Sequence, residues 1–133
     1  MVRAWLSDAM SSPLTRYEEI DPSLPIALVN GRRVAASLAD LVTHGPEVGI
    51  SLDEQRVVWT DEYVWTNTAA TGEPFSEVDH CAGWIAASLE LFARVGINAV
   101  AEEYQAEWSA NRWWTSQATL QCSNQRRLYC LEQ

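Results

Sequence analysis

At 133 residues, with 47% hydrophobic and 20% charged side chains, the chain has the length and apolar content of one domain folding around a single core, which excludes intrinsic disorder. Nine basic residues, all of them arginine, against eighteen acidic ones give a net charge of -9 and a pI near 4.5, the wrong sign for nucleic-acid phosphate or anionic lipid as a partner. No apolar run approaches the roughly 18 residues of a membrane span, and Met1-Val2-Arg3-Ala4-Trp5 carries no hydrophobic stretch of signal-peptide length.

In chain order, Arg3-Ala4-Trp5-Leu6-Ser7 reads as a short strand, followed by a polar loop from Ser7 to Thr15 that contains Pro13. Pro25-Ile26-Ala27-Leu28-Val29 is an apolar run closed by Asn30-Gly31, the dipeptide best suited to a two-residue hairpin turn, and Arg32-Arg33-Val34-Ala35 forms the returning arm. Ser37 is placed to cap a two-turn helix through Leu38, Leu41 and Val42, which His44-Gly45-Pro46 stops. A helix that short must lean on the body of the domain. After a turn at Asp53-Glu54-Gln55, strands are expected over 56–60, 63–66, 81–85, 113–120 and 127–131. The intervening 86–106 segment spaces Leu89, Phe92, Ala93 and Val95-Gly96 at nearly helical intervals, which predicts an amphipathic helix there. Short strands, long loops and few helices together predict an α+β domain with a largely antiparallel sheet.

Two counts stand out, three Cys and seven Trp. Cys81, Cys122 and Cys130 form no Cys-x-x-Cys pair, and His44 and His80 are too scattered for a zinc site, so no metal is assigned. Three thiols fit three readings: one disulfide with one thiol left over, a partner cysteine outside this chain, or three buried thiols in a reducing compartment. Cys122 and Cys130 flank the turn Ser123-Asn124-Gln125-Arg126-Arg127, which leads into the alternating terminal strand Leu128-Tyr129-Cys130-Leu131.

The order Arg3-Ala4-Trp5-Leu6-Ser7, Pro25-Ile26-Ala27-Leu28-Val29-Asn30, Ser37-Leu38-Ala39-Asp40-Leu41, Val64-Trp65-Thr66-Asn67-Thr68 with Gly72, His80-Cys81-Ala82-Gly83-Trp84, and finally Cys122 with Leu128-Tyr129-Cys130-Leu131-Glu132 resembles the endostatin family. It is also similar to bacterial secreted domains built on the same C-type-lectin-like fold. The resemblance runs from Arg3 to Glu132; no single motif in it is specific, and the order and spacing carry it. It implies a single endostatin-like α+β domain and two family disulfides, second cysteine to third and first to fourth. Carried over by position, the pair here is Cys81–Cys122, closing a loop of about 42 residues for roughly 3 to 4 kcal/mol in the chain-entropy model. The family's first cysteine lies upstream of Met1, so Cys130 is expected to be unpaired or paired outside the chain, and the domain to be N-terminally incomplete. The resemblance further implies an extracellular, periplasmic or cell-surface location, or a cytoplasmic one if Met1 is the true start.

Calcium-dependent sugar binding needs several converging carboxylate and amide oxygens. Gly72-Glu73-Pro74-Phe75 places Phe75 where a ligand oxygen would stand, and no Trp-Asn-Asp element follows. The acidic groups Asp61-Glu62, Glu73 with Glu77 and Asp79, and Glu102-Glu103 with Glu107 read as solvated faces, with a cation site at the loop containing Asp79 as the alternative. The heparin-binding basic surface and N-terminal zinc histidines associated with endostatin do not carry over, since the net charge is opposite and those upstream residues are not in this chain. His80 beside Cys81 on a strand would face away from it, so thiol catalysis is not expected. No carboxylate pair stands out for glycoside chemistry. No catalytic residue and no cofactor are assigned, and an enzyme is not expected.

Trp5, Trp65 and Trp84 read as core, and Trp59 as ambiguous. Trp108, Asn111, Arg112, Trp113 and Trp114 form the candidate binding group, either a stacking platform for a sugar or protein or a cover over a small core. The functional expectation is a non-enzymatic extracellular recognition module that takes a glycan or protein ligand through residues 86–114. The alternative is a structural or adhesive domain of a larger secreted protein, self-associating through an open sheet edge near Cys130.

Overall fold

The computed structural model describes residues 2–17, 21–53 and 55–132, with the side chains of Val2, Arg3 and Glu132 outside that description. Glu54, in the turn expected at 53–55, lies outside the described residues. Two four-stranded sheets organise the chain, ordered β1-β8-β2-β3 and β6-β5-β4-β7. In the first, β1 (Val2–Ala4) and β8 (Cys130–Glu132) run antiparallel with Ala4 opposite Cys130. β2 (Ile26–Ala27) and β3 (Arg33–Ala35) make the expected hairpin, turned by Gly31 at φ +83. In the second, β4 (Tyr63–Trp65) pairs antiparallel with β5 (Phe92–Ile97) and parallel with the two-residue β7 (Arg127–Leu128), while β6 (Ala118–Gln121) lies on the far side of β5. This is the mixed α+β class that the pattern predicts. Among the described residues, no helix is long and apolar enough to cross a membrane.

Local chemistry accounts for the helices. α1 (Pro13–Tyr17) opens on Pro13, at the position where a missing N–H costs nothing, inside the segment expected to be loop. α2 (Leu38–His44) is capped as expected: the Ser37 hydroxyl accepts from the Asp40 N–H at 3.0 Å, and Gly45 at φ +80 ends the helix. A 3-10 turn at Glu102–Tyr104 leads into α4 (Gln105–Ala110).

Five expected elements differ. The strand expected over 127–131 is broken at Tyr129 into β7 of the second sheet and β8 of the first. Residues 86–106 hold no long helix; β5 occupies their centre, because Ala93 and Val95 point inward between the outward Phe92 and the half-buried Arg94, a period of two that the helical spacing masked. The 81–85 segment is not a strand but the single turn α3 (Cys81–Trp84), with φ of +53, +51, +73 and +69 at Cys81, Ala82, Gly83 and Trp84. Three of those four residues carry a Cβ that disfavours the left-handed region. Of residues 56–60, only Val58 takes part in an isolated bridge, to Leu52. Residues 113–117 form a turn, with strand beginning at Ala118.

The main core lies between the sheets and α2, built on Trp5, Trp108, Trp114, Tyr17, Ile26, Val34, Leu41, Val64 and Leu131. A smaller cluster on the other face of the second sheet joins Trp65, Ala93, Val95 and the Cys81–Cys122 disulfide, with Trp84 packed against it. Adjacent strand residues serve opposite faces, so Val64 enters one cluster and Trp65 the other. Beside the main core runs a buried polar chain. The Trp5 indole N–H donates to Thr115 Oγ1 at 2.8 Å, Thr115 Oγ1 donates to the Thr68 carbonyl at 3.0 Å, and Thr66 Oγ1 donates to the Thr115 carbonyl at 2.6 Å. Two of these bonds satisfy the buried carbonyls of Thr68 and Thr115.

Candidate functional site

The expected binding group resolves into scaffold. Trp108 and Trp114 are 0% exposed. The Trp108 indole N–H donates to the Ile97 carbonyl at 2.7 Å, and Trp114 packs at a tilt against Trp5 and Tyr129, with ring centroids 4.9 and 6.5 Å away. Their rings therefore present no face for stacking a ligand. Trp113, half-buried, packs against the main core, and in this turn it and Trp114 both serve that core instead of opposite sides of a strand. Arg112 spends its guanidinium on backbone carbonyls: that of Thr43, at the end of α2, that of His44 at 3.3 Å, and that of Ser109 at 2.8 Å. Asn111 is exposed at the end of α4 and caps it through its backbone N–H. The cluster locks α4 to the end of α2; burial of its aromatic rings corrects the platform reading of Trp108 and Trp114.

The cavity lies elsewhere, a cleft of about 560 Å³ where β2, the 50–53 loop, β4 and the β7–β8 passage meet. Its inner wall is apolar, formed by Leu28, Ile50, Val64 and Tyr129, with Val29 and Leu128 partly exposed nearer the mouth. The volume falls in the range of small-molecule sites, and a mostly apolar wall with few polar groups is their usual lining. Tyr129 is fully buried and donates its hydroxyl to the Trp114 carbonyl at 2.7 Å; burial pushes its pKa well above the ordinary phenol value, so it is neutral.

At the mouth stand Asp53, Trp59 and Arg127. Asp53 Oδ1 accepts from the Gln55 and Val57 backbone N–H groups, each at 2.9 Å, folding the 53–57 loop, and Oδ2 accepts the Trp59 indole N–H at 2.9 Å. The Trp59 bond first, then the Val57 N–H, and after them the Gln55 N–H and the Arg127 charge, hold the Asp53 carboxyl below its ordinary pKa against a desolvation that opposes them. Asn98 fixes the loop from behind, its amide donating to the Trp59 carbonyl at 2.7 Å and its Oδ1 accepting the Glu62 N–H at 3.0 Å. On the indole so fixed lies the Arg127 guanidinium, 3.7 Å from the ring centroid, delivered by β7 opposite Val64. Among the described residues, that guanidinium makes no hydrogen bond and no close ion pair; Asp53 acts on it through charge alone.

A shallower depression of about 320 Å³ lies on the other side of Leu128, over the disulfide, with Leu6, Trp65, Trp84 and Ile85 around it. The left-handed turn at its rim is held by His80 Nδ1, which accepts the Gly83 N–H at 2.7 Å, and by the Trp84 indole N–H, which donates to the Ser7 carbonyl at 2.9 Å. The His80 ring nitrogens thus serve backbone groups and leave Cys81 to its disulfide. Cys130 sits in β8 with an exposed side chain; β8 lies between β1 and β2 and is not an open edge.

Of the mouth residues, Trp59 was visible in the sequence only as an ambiguous aromatic, Asp53 as a turn former and Arg127 as half of an arginine pair. Nothing local links position 59 with position 127; the parallel pairing of β7 on β4 brings them together. No family model, curated protein or solved structure matches the chain.

Proposed function

We propose that the chain is a non-enzymatic extracellular recognition module of the C-type-lectin-like, endostatin-like kind, and that it binds its ligand in the cleft behind Asp53, Trp59 and Arg127. The observation that carries this reading is the preorganised mouth, an indole locked by a carboxylate and carrying an arginine with open donors, over an apolar cavity of about 560 Å³. The antiparallel pairing of the first and last strands and the Cys81–Cys122 disulfide support the lectin-like architecture and an oxidising compartment. Ligand recognition moves accordingly from the 86–114 segment to the 50–59 loop and the β7–β8 passage. The test is an array of glycans, proteins and small organic molecules probed with the intact chain: hits that Trp59→Ala abolishes support the reading, and hits indifferent to every substitution lining the cleft refute it.

A structural or adhesive role draws on a different observation. Ile85 and Leu89, near the disulfide depression, are 88% and 68% exposed, the kind of surface that packs against a neighbour. Self-association that Ile85→Ser with Leu89→Ser removes, without array hits that depend on Trp59, identifies that role instead.

A further inference from the structure

The chemistry of the cleft narrows its ligand, an inference that rests on the cleft being the binding site. We propose that it takes a carboxylate carried on an apolar chain or ring, the Arg127 guanidinium holding the carboxylate and Leu28, Ile50, Val64 and Tyr129 enclosing the apolar part. Four observations select this class. Two polar side chains lining the cleft are already engaged, since both ends of the Asn98 amide bond backbone and the Tyr129 hydroxyl donates to Trp114, which leaves Ser51 as the one lining hydroxyl without a partner among the described residues. A polyol would bury most of its hydroxyls there without partners. Asp53 invites no ammonium group, because three N–H donors occupy its oxygens and Arg127 stands beside it. Arg127 is the only cation lining the cleft among the described residues, enough for one carboxylate and too little to neutralise a phosphate dianion. Finally, its position 3.7 Å over the Trp59 ring restrains the guanidinium at the mouth, so less ordering is left to do when it meets a carboxylate. The chain's own negative field falls off over about 8 Å at physiological salt, which leaves this close contact intact.

The experiment compares three probes of one chain length, octanoate, octanol and octylammonium, titrated into the intact chain and followed through the Trp59 indole N–H resonance. Octanoate is expected to bind about fivefold to tenfold more tightly than octanol, as one charge-assisted contact at a partly exposed site implies, with octylammonium weakest. Arg127→Gln should abolish the preference and leave octanol binding in place, while Arg126→Gln leaves both unchanged; unaltered circular dichroism of both variants shows that the fold persists. Equal binding of octanoate and octanol, or a preference that survives Arg127→Gln, overturns the carboxylate assignment while the cleft remains a binding site. Binding of none of the three also overturns it, and the Trp59-dependent array then decides separately whether the cleft binds anything.

Discussion

Removing the Cys81–Cys122 cross-link gives the sharpest test of how this domain holds itself together. The bridge joins residues 41 apart in sequence, and in the chain-entropy picture a loop of that size restricts the unfolded chain by about 13 cal/mol/K, or about 4 kcal/mol at 25 °C. In the folded state, the bridge also fastens α3, where Cys81, Ala82 and Trp84 all have positive φ. Each such residue costs about 1 kcal/mol. Freed of the cross-link, part of that turn can relax, so the net loss for Cys81→Ala with Cys122→Ala is expected to be about 2 to 4 kcal/mol. With a urea slope of about 2 kcal/mol/M for a domain of this size, the unfolding midpoint should fall by about 1 to 2 M. Equilibrium urea unfolding followed by tryptophan fluorescence measures this directly. A double variant whose midpoint stays within about 0.3 M of the parent, at unchanged slope, would show that neither the loop constraint nor the anchoring of the turn matters to stability.

Three further outcomes follow from single positions. Ala82, exposed at φ +51, should accept glycine with a gain of about 0.5 to 1 kcal/mol, the relieved left-handed strain exceeding the extra entropy of an unfolded glycine, read as a rise in the urea midpoint. Gly96→Ala should cost about 3 kcal/mol or prevent folding, because a Cβ there would lie 1.9 Å from the Trp114 carbonyl oxygen and 2.4 Å from its carbon, backbone atoms that cannot rotate aside; a loss under 1 kcal/mol in the same assay would contradict the packing of β5. Asp53 is held below its unfolded pKa of about 3.9, so its contribution is present above that pH and is lost as pH falls through the lower folded value. Between pH 5 and pH 2 the parent should therefore lose stability more steeply than Asp53→Asn, and parallel curves for the two would refute the role given to its bonds with Trp59 and Val57.

What could be read from the sequence was whatever depended on neighbours in the chain. Asn30-Gly31 between apolar arms, and Ser37 three residues before Asp40, specify their turn and cap through local backbone bonds, and both stand where expected. β5 escaped notice because Leu89, Phe92 and Ala93 fall at helical spacing by coincidence, while the alternation of Ala93 and Val95 matters only once β4 and β6 flank them. The turn at Cys81 was unreadable for a related reason. Left-handed φ at three residues with a Cβ contradicts local preference, and it is stabilised by partners at Ser7 and Cys122 that are remote in sequence.

The tryptophans show why rings that read as a surface platform lie in the core. Adjacent Trp113 and Trp114 beside polar residues look like a surface platform if the segment is a strand, since neighbours on a strand face opposite sides. In a turn that constraint disappears, and Trp114 is free to enter the core against Trp5 while its carbonyl accepts from Tyr129. A core filled in this way leaves Trp59 as the half-buried indole whose N–H is bound by a side-chain carboxylate and whose face carries a cation. Asp53 fixes the ring, the ring orients Arg127, and β7 holds Arg127 to β4 through only two paired residues. The proposed recognition geometry therefore depends on one of the shortest strands in the fold, and changes that weaken β7, such as proline at Leu128, should disorganise the cleft mouth well before they unfold the tryptophan core.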